Sequence, residues 1–186
     1  MLRRFAHTPA TVSVVRCNET LEPNSVLRAL EENRGLRIYA APRDTDDLLS
    51  VTLDIYTVEA LRAAHITPLS PEKEKLQVPR YSRKVSWSKL LQLRKALHSK
   101  FVCQQCDKCQ EMMEYLEHCF ERPAMFARTW NGEMILNTKA VAHFMNTLVA
   151  FVGSLQECIP GACEDRHRQF VNCVSSFLVP ASTKHE

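Results

Sequence analysis

Between Leu49 and Ile55 the apolar residues Leu49, Val51, Leu53 and Ile55 alternate with Ser50, Thr52 and Asp54. A period of two belongs to a strand with one face buried and the other wet. Weaker strand signals lie at Thr11 to Arg16, a β-branched run, and at Leu36 to Ala40. Asn24 or Ser25 can cap a helix that runs through Glu32 and stops at Gly35, and Thr57 can cap a short helix through His65. One helix from Thr45 to His65, with Asp46 and Asp47 at its start, competes with the strand, but the alternation favours the strand.

Farther along, the period changes. From Ser86 or Ser88 to Glu121, Leu90, Leu93, Leu97 and Phe101, then Cys106, Cys109, Met113, Leu116 and Phe120, recur at helical spacing, with a break expected near Cys103. Arg122-Pro123 ends that helix, Trp130-Asn131-Gly132 makes a turn, and Asn137 or Thr138 can cap a second helix reaching Glu157. After Ile159-Pro160-Gly161, Glu164 and Asp165 open a third helix ending near Leu178. Pro68, Pro71 and Pro79 mark a linker. The expected fold class is α+β: a small mixed α/β region (1–66), a proline-rich basic linker (67–86), a cysteine-rich three-helix region (87–179) and a tail (180–186).

With 186 residues, 45% of them hydrophobic, the chain can build a core without cross-links. Its eight cysteines therefore need their own explanation, and seven of them fall between Cys103 and Cys173. The longest apolar stretch, Val141 to Leu155, is interrupted by His143, Asn146 and Gly153 and falls short of the ~18 residues a bilayer span needs. The N-terminal residues lack the apolar core of a secretory signal, which points to the cytoplasm or nucleus, where thiols stay reduced. Arg3, Arg4 and Arg16, with no acid before Glu19, also fit a mitochondrial presequence, the alternative location.

In a reducing compartment clustered cysteines suggest metal. Residues at i, i+3 and i, i+4 share a helix face, so Cys106 with Cys109 and Cys163 with His167 each form a two-ligand edge. Two such edges from packed helices complete the four Cys or His ligands that zinc takes, with Cys103 and Cys158 as substitutes. Alternatively these thiols simply pack as small apolar groups along the stripe.

Nine residues separate Cys109 from Cys119, and nine separate Cys163 from Cys173. This resembles the twin CX9C helical hairpins of the mitochondrial intermembrane space. The resemblance covers only the cysteine positions, and residues 120–162 stand where those hairpins have a short turn. It implies a disulfide-stapled mitochondrial helical protein with Cys109 bonded to Cys173 and Cys119 to Cys163.

Charge adds a further candidate surface. Between Glu72 and Lys100 nine Lys or Arg stand against Glu72 and Glu74. Arg80, Arg83, Lys84, Lys89, Arg94 and Lys95 are the candidate contacts to nucleic acid or an acidic partner. The alternative is a solvated face opposite the leucines. Met112, Met113, Trp130, Phe144 and Met145 are the candidate interface to a protein partner or second copy, unless they fill the chain's own core. No glycine-rich phosphate loop, nucleophile elbow or His-Glu-x-x-His occurs, and four glycines leave little material for tight catalytic loops. The expectation is a non-enzymatic interaction or assembly factor. A zinc-stabilised nucleic-acid-binding module is the alternative, beside the disulfide-stapled form.

Overall fold

The computed structural model describes residues 30, 36–42, 47–57, 81–100, 106–121, 123–155 and 163–179. It is α+β, with a small antiparallel sheet followed by helices. Strands β1 (Leu36–Pro42), β2 (Ser50–Thr57) and β3 (Tyr81–Ser86) form the sheet in the order β1-β2-β3. Helices α1 (Trp87–Lys100) and α2 (Asp107–His118), a hairpin of β4 (Phe126–Arg128) and β5 (Met134–Leu136), and helices α3 (Thr138–Leu155) and α4 (Glu164–Leu178) follow.

Alternation at 49–55 produces β2 as expected, with Val51, Leu53 and Ile55 buried. Opposite them lie Ile38 and Ala40 on β1 and Val85 and Arg83 on β3. Cross-strand partners share a face, so these residues form the inner surface of the sheet. Leu36 to Ala40 is likewise a strand, and Leu30 is helical and buried. The expected strand at 11–16 and the remainder of the helices through Glu32 and His65 lie outside the described residues.

Two expectations need correction. Residues 81–86, placed in the linker, form strand β3, paired to β2 from Ser50↔Ser86 to Ile55↔Tyr81. Arginine occupies an inward position there, so Tyr-Ser-Arg-Lys-Val-Ser carries no apolar alternation to reveal it. The second concerns the helix count: among the described residues the C-terminal part has four helices, not three. Cys106 has extended backbone (φ −126°, ψ 119°) and starts α2 afresh, which divides the leucine stripe from the cysteine stripe.

Helix α3 packs on β1, while α1 packs on α2 and α4, and α4 also meets α3. Nine of the eighteen residues of α3 are buried, making it the central helix. Asn137 caps it by accepting the N–H groups of Lys139 (3.1 Å) and Ala140 (3.3 Å). Gly132, at φ 83°, closes the β4–β5 turn in the left-handed region that glycine enters without strain. Trp87, Phe120, Phe126 and Phe144 knit α1, the end of α2, β4 and α3 together through ring pairs at 4.8–5.0 Å.

Candidate metal centre

Helices α2 and α4 begin alike. Cys106 is the N-cap of α2 and Cys163 the N-cap of α4, and neither side chain makes a capping hydrogen bond. An N-cap is ordinarily Ser, Thr, Asp or Asn because their oxygens satisfy the first free N–H groups. Here each carbonyl starts its helix, accepting from Gln110 N (3.0 Å) and His167 N (2.9 Å), while the sulfur turns to another task. Cys109 lies three residues beyond Cys106, and His167 four beyond Cys163, so each N-cap is followed by a second donor in or next to the first turn.

The donor atoms of Cys106, Cys109, Cys163 and His167 all lie within 4.8 Å of one another. His167 Nε2 is 3.4 Å from Cys109 Sγ and 4.0 Å from Cys106 Sγ. Around a tetrahedral zinc, bonds of about 2.3 Å to sulfur and about 2.0 Å to nitrogen hold donors ~3.5–3.8 Å apart, so the spacings seen match a centre that needs only slight contraction. Cys109 and Cys163 are buried, and Cys106 and His167 half-buried. Burial lowers the pKa of His167, which keeps the imidazole neutral and able to ligate. Both helices aim their positive ends at the cluster, which favours the net negative charge of three thiolates around one dication. These are the four residues the i, i+3 and i, i+4 spacing selects. The proposed substitutes, Cys103 and Cys158, lie outside the described residues.

No disulfide joins any two of the described cysteines. The CX9C pairing fails on geometry: Cys109 and Cys163 come together, and Cys119 lies at the opposite end of α2, ~15 Å along a helix that rises 1.5 Å per residue. Cys119 is instead buried, with its thiol donating to Leu116 O at 3.5 Å.

The basic residues do not form one surface. Arg83 turns inward, its guanidinium 5.0 Å above the Phe177 ring, and burial lowers its pKa. Lys84 pairs with Asp47 at 2.8 Å. Arg94 crosses to the last turn of α2, donating from Nε to Leu116 O (2.6 Å) and from Nη2 to Glu117 O (2.8 Å), with its charge over Phe120 at 5.3 Å. Lys89 and Lys95 face solvent, and Arg80 lies outside the described residues.

The proposed partner interface divides the same way. Met112, Phe144 and Met145 are buried in the chain's own core, and Met113 packs against it, so these four serve packing rather than a partner. Trp130 alone among them is open, 96% exposed at the tip of the β4–β5 hairpin.

Sequence reasoning missed Asn146, which it met only as an interruption of the apolar run. Asn146 accepts the N–H of Ile38 (2.9 Å) and donates to Ile38 O (2.7 Å), pairing α3 with the outer edge of β1. A polar residue inside an otherwise apolar helix was the available signal. Comparison with protein-family models, with curated proteins and with solved structures finds no match for this chain.

Proposed function

We propose that the chain is a non-enzymatic protein-interaction module whose helical part is held by a structural Cys3His zinc centre. The observation that carries this reading is the convergence of four donors from two helix starts within 4.8 Å. Three thiolates and an imidazole suit zinc, whereas magnesium and calcium take oxygen. Four protein ligands fill a tetrahedron, the pattern of structural sites, whereas a catalytic zinc keeps a position open for water or substrate. Thiol ligands must stay reduced to bind, which fits the cytoplasm or nucleus. Trp130 supplies the interaction part of the reading: an aromatic side chain so exposed on a hydrogen-bonded hairpin suits an anchor that inserts into a partner's pocket.

Native mass spectrometry tests the centre. The chain purified without chelator should carry close to one equivalent of zinc, because binding and folding are coupled. Chelation should lower its melting temperature, and Cys109→Ser should do so without chelator. A mass equal to the reduced metal-free chain, with a melting temperature indifferent to chelator, defeats the reading.

A further inference from the structure

The four donors differ in exposure and in how they are tied to the fold. Cys109 is fully buried within the first turn of α2. Cys106, three residues earlier, is half-buried and stands outside the helix with extended backbone. Cys163 and His167 belong to α4. Among the described residues α2 and α4 meet narrowly, whereas α1 packs on both. A metal held by these four donors would therefore be the main link between the two helix starts.

Resting on the zinc reading above, we propose that this centre is a peroxide-responsive switch in which oxidation joins Cys106 to Cys109, expels zinc and releases α2 from α4. The accessible sulfur reacts first: the Cys106 thiolate attacks one oxygen of hydrogen peroxide, the O–O bond breaks, hydroxide leaves and a sulfenic acid forms. Cys109 then attacks the Cys106 sulfur, the S–O bond breaks, a second hydroxide leaves and the disulfide closes. Each sulfur gives up one electron, peroxide takes both, and zinc departs as the unchanged dication. Cys163 and His167 are left as one thiolate and one imidazole, too few ligands to hold it tightly.

Geometry favours this pair. The sulfurs of Cys106 and Cys109 already lie within 4.8 Å, one at the N-cap of α2 and the other in its first turn. Closing to the ~2.05 Å of a disulfide asks Cys106 to move, and Cys106 stands outside the helix with extended backbone, its carbonyl alone joined to the helix ladder through Gln110 N. A Cys109–Cys163 bond would instead replace one staple between α2 and α4 with another.

The test uses the zinc-loaded full chain, its metal content first established by native mass spectrometry. Substoichiometric hydrogen peroxide should release one zinc per disulfide formed, read with a chromogenic chelator. Peptide mapping should place that disulfide at Cys106–Cys109. Reductant followed by zinc should restore the starting mass. In Cys109→Ser, dimedone should trap a sulfenic acid at Cys106, and amide exchange in the wild-type chain should rise at the starts of α2 and α4 on oxidation. Zinc present but retained when peroxide oxidises a small-molecule thiol control overturns the switch and leaves the zinc reading standing. Zinc release with a Cys109–Cys163 bond, or with sulfinic acid and no disulfide, overturns it as well. A chain that never carries zinc removes both.

Discussion

Asn146 shows how one polar residue can fix the join between layers. Among the described residues strand β1 is a sheet edge, so its residues whose N–H and C=O point away from β2 meet no described strand. Asn146 meets both groups of Ile38 and also donates to Ala142 O (2.8 Å), one turn back on its own helix. Asn146→Leu therefore leaves a half-buried donor and acceptor unpaired. A loss of about 1–3 kcal/mol in urea unfolding is expected, the usual cost of orphaning such groups. Asn146→Asp retains the acceptor for Ile38 N but not the donor, and should fall between the two. If Asn146→Leu unfolds at the same urea midpoint as the parent chain, the amide is not what joins α3 to the sheet.

At the scale of elements, α2 is held at both ends by groups from other helices. Its start shares the candidate metal donors with α4, and its last carbonyls are taken by Arg94 from α1. Positive charge at a helix C-terminus is favourable, and the planar guanidinium reaches two carbonyls while covering Phe120. Lysine has neither the fork nor the flat face. Arg94→Lys should therefore recover little of the loss from Arg94→Ala, which is expected to be about 1–2 kcal/mol by thermal unfolding of the zinc-loaded chain. Full rescue by lysine would show that charge alone matters here. At β3 an inward Arg83 occupies the face that carries Leu53 on the neighbouring strand. An inward charge of this kind discourages further strands from adding to an edge.

For the whole molecule, the sheet and helices share one apolar core that also takes in Cys109, Cys119 and Cys163. Titration of buried Cys119 and half-buried Tyr115, which packs against this core, gives a stability signature at high pH. Burial pushes the Cys119 thiol up to about 11 from 9.0 and the Tyr115 hydroxyl up to about 12 from 10.0. Both lose their protons more readily in the unfolded chain, which then binds fewer protons, so stability falls as pH rises. The contribution is complete below about pH 9, the unfolded value for cysteine, and declines from there toward pH 12. Denaturant midpoints measured between pH 8 and about 11 should fall, and Cys119→Ala should flatten the first part of that decline. A midpoint constant over the range would mean that neither group is buried as described.

The sequence by itself determined the features that depend on near neighbours. Strand β2 follows from strict alternation, the turn at Gly132 from its glycine, and the cap of α3 from Asn137. The four candidate metal donors were legible too, because the members of each pair are only three or four residues apart at a helix start, which keeps them close whatever the rest of the chain does. Tertiary structure decided what depends on distant partners. It made strand of 81–86 because β2 offered an edge to pair with, despite an arginine on the inner face. It drew Arg94 from a basic run to cap a helix and buried Met112, Phe144 and Met145 rather than exposing them. It brought Cys163 to Cys109 and kept Cys119 at the far end of α2, although equal nine-residue gaps favoured a different match. Spacing sets which residues share a face, whereas only packing sets which faces meet.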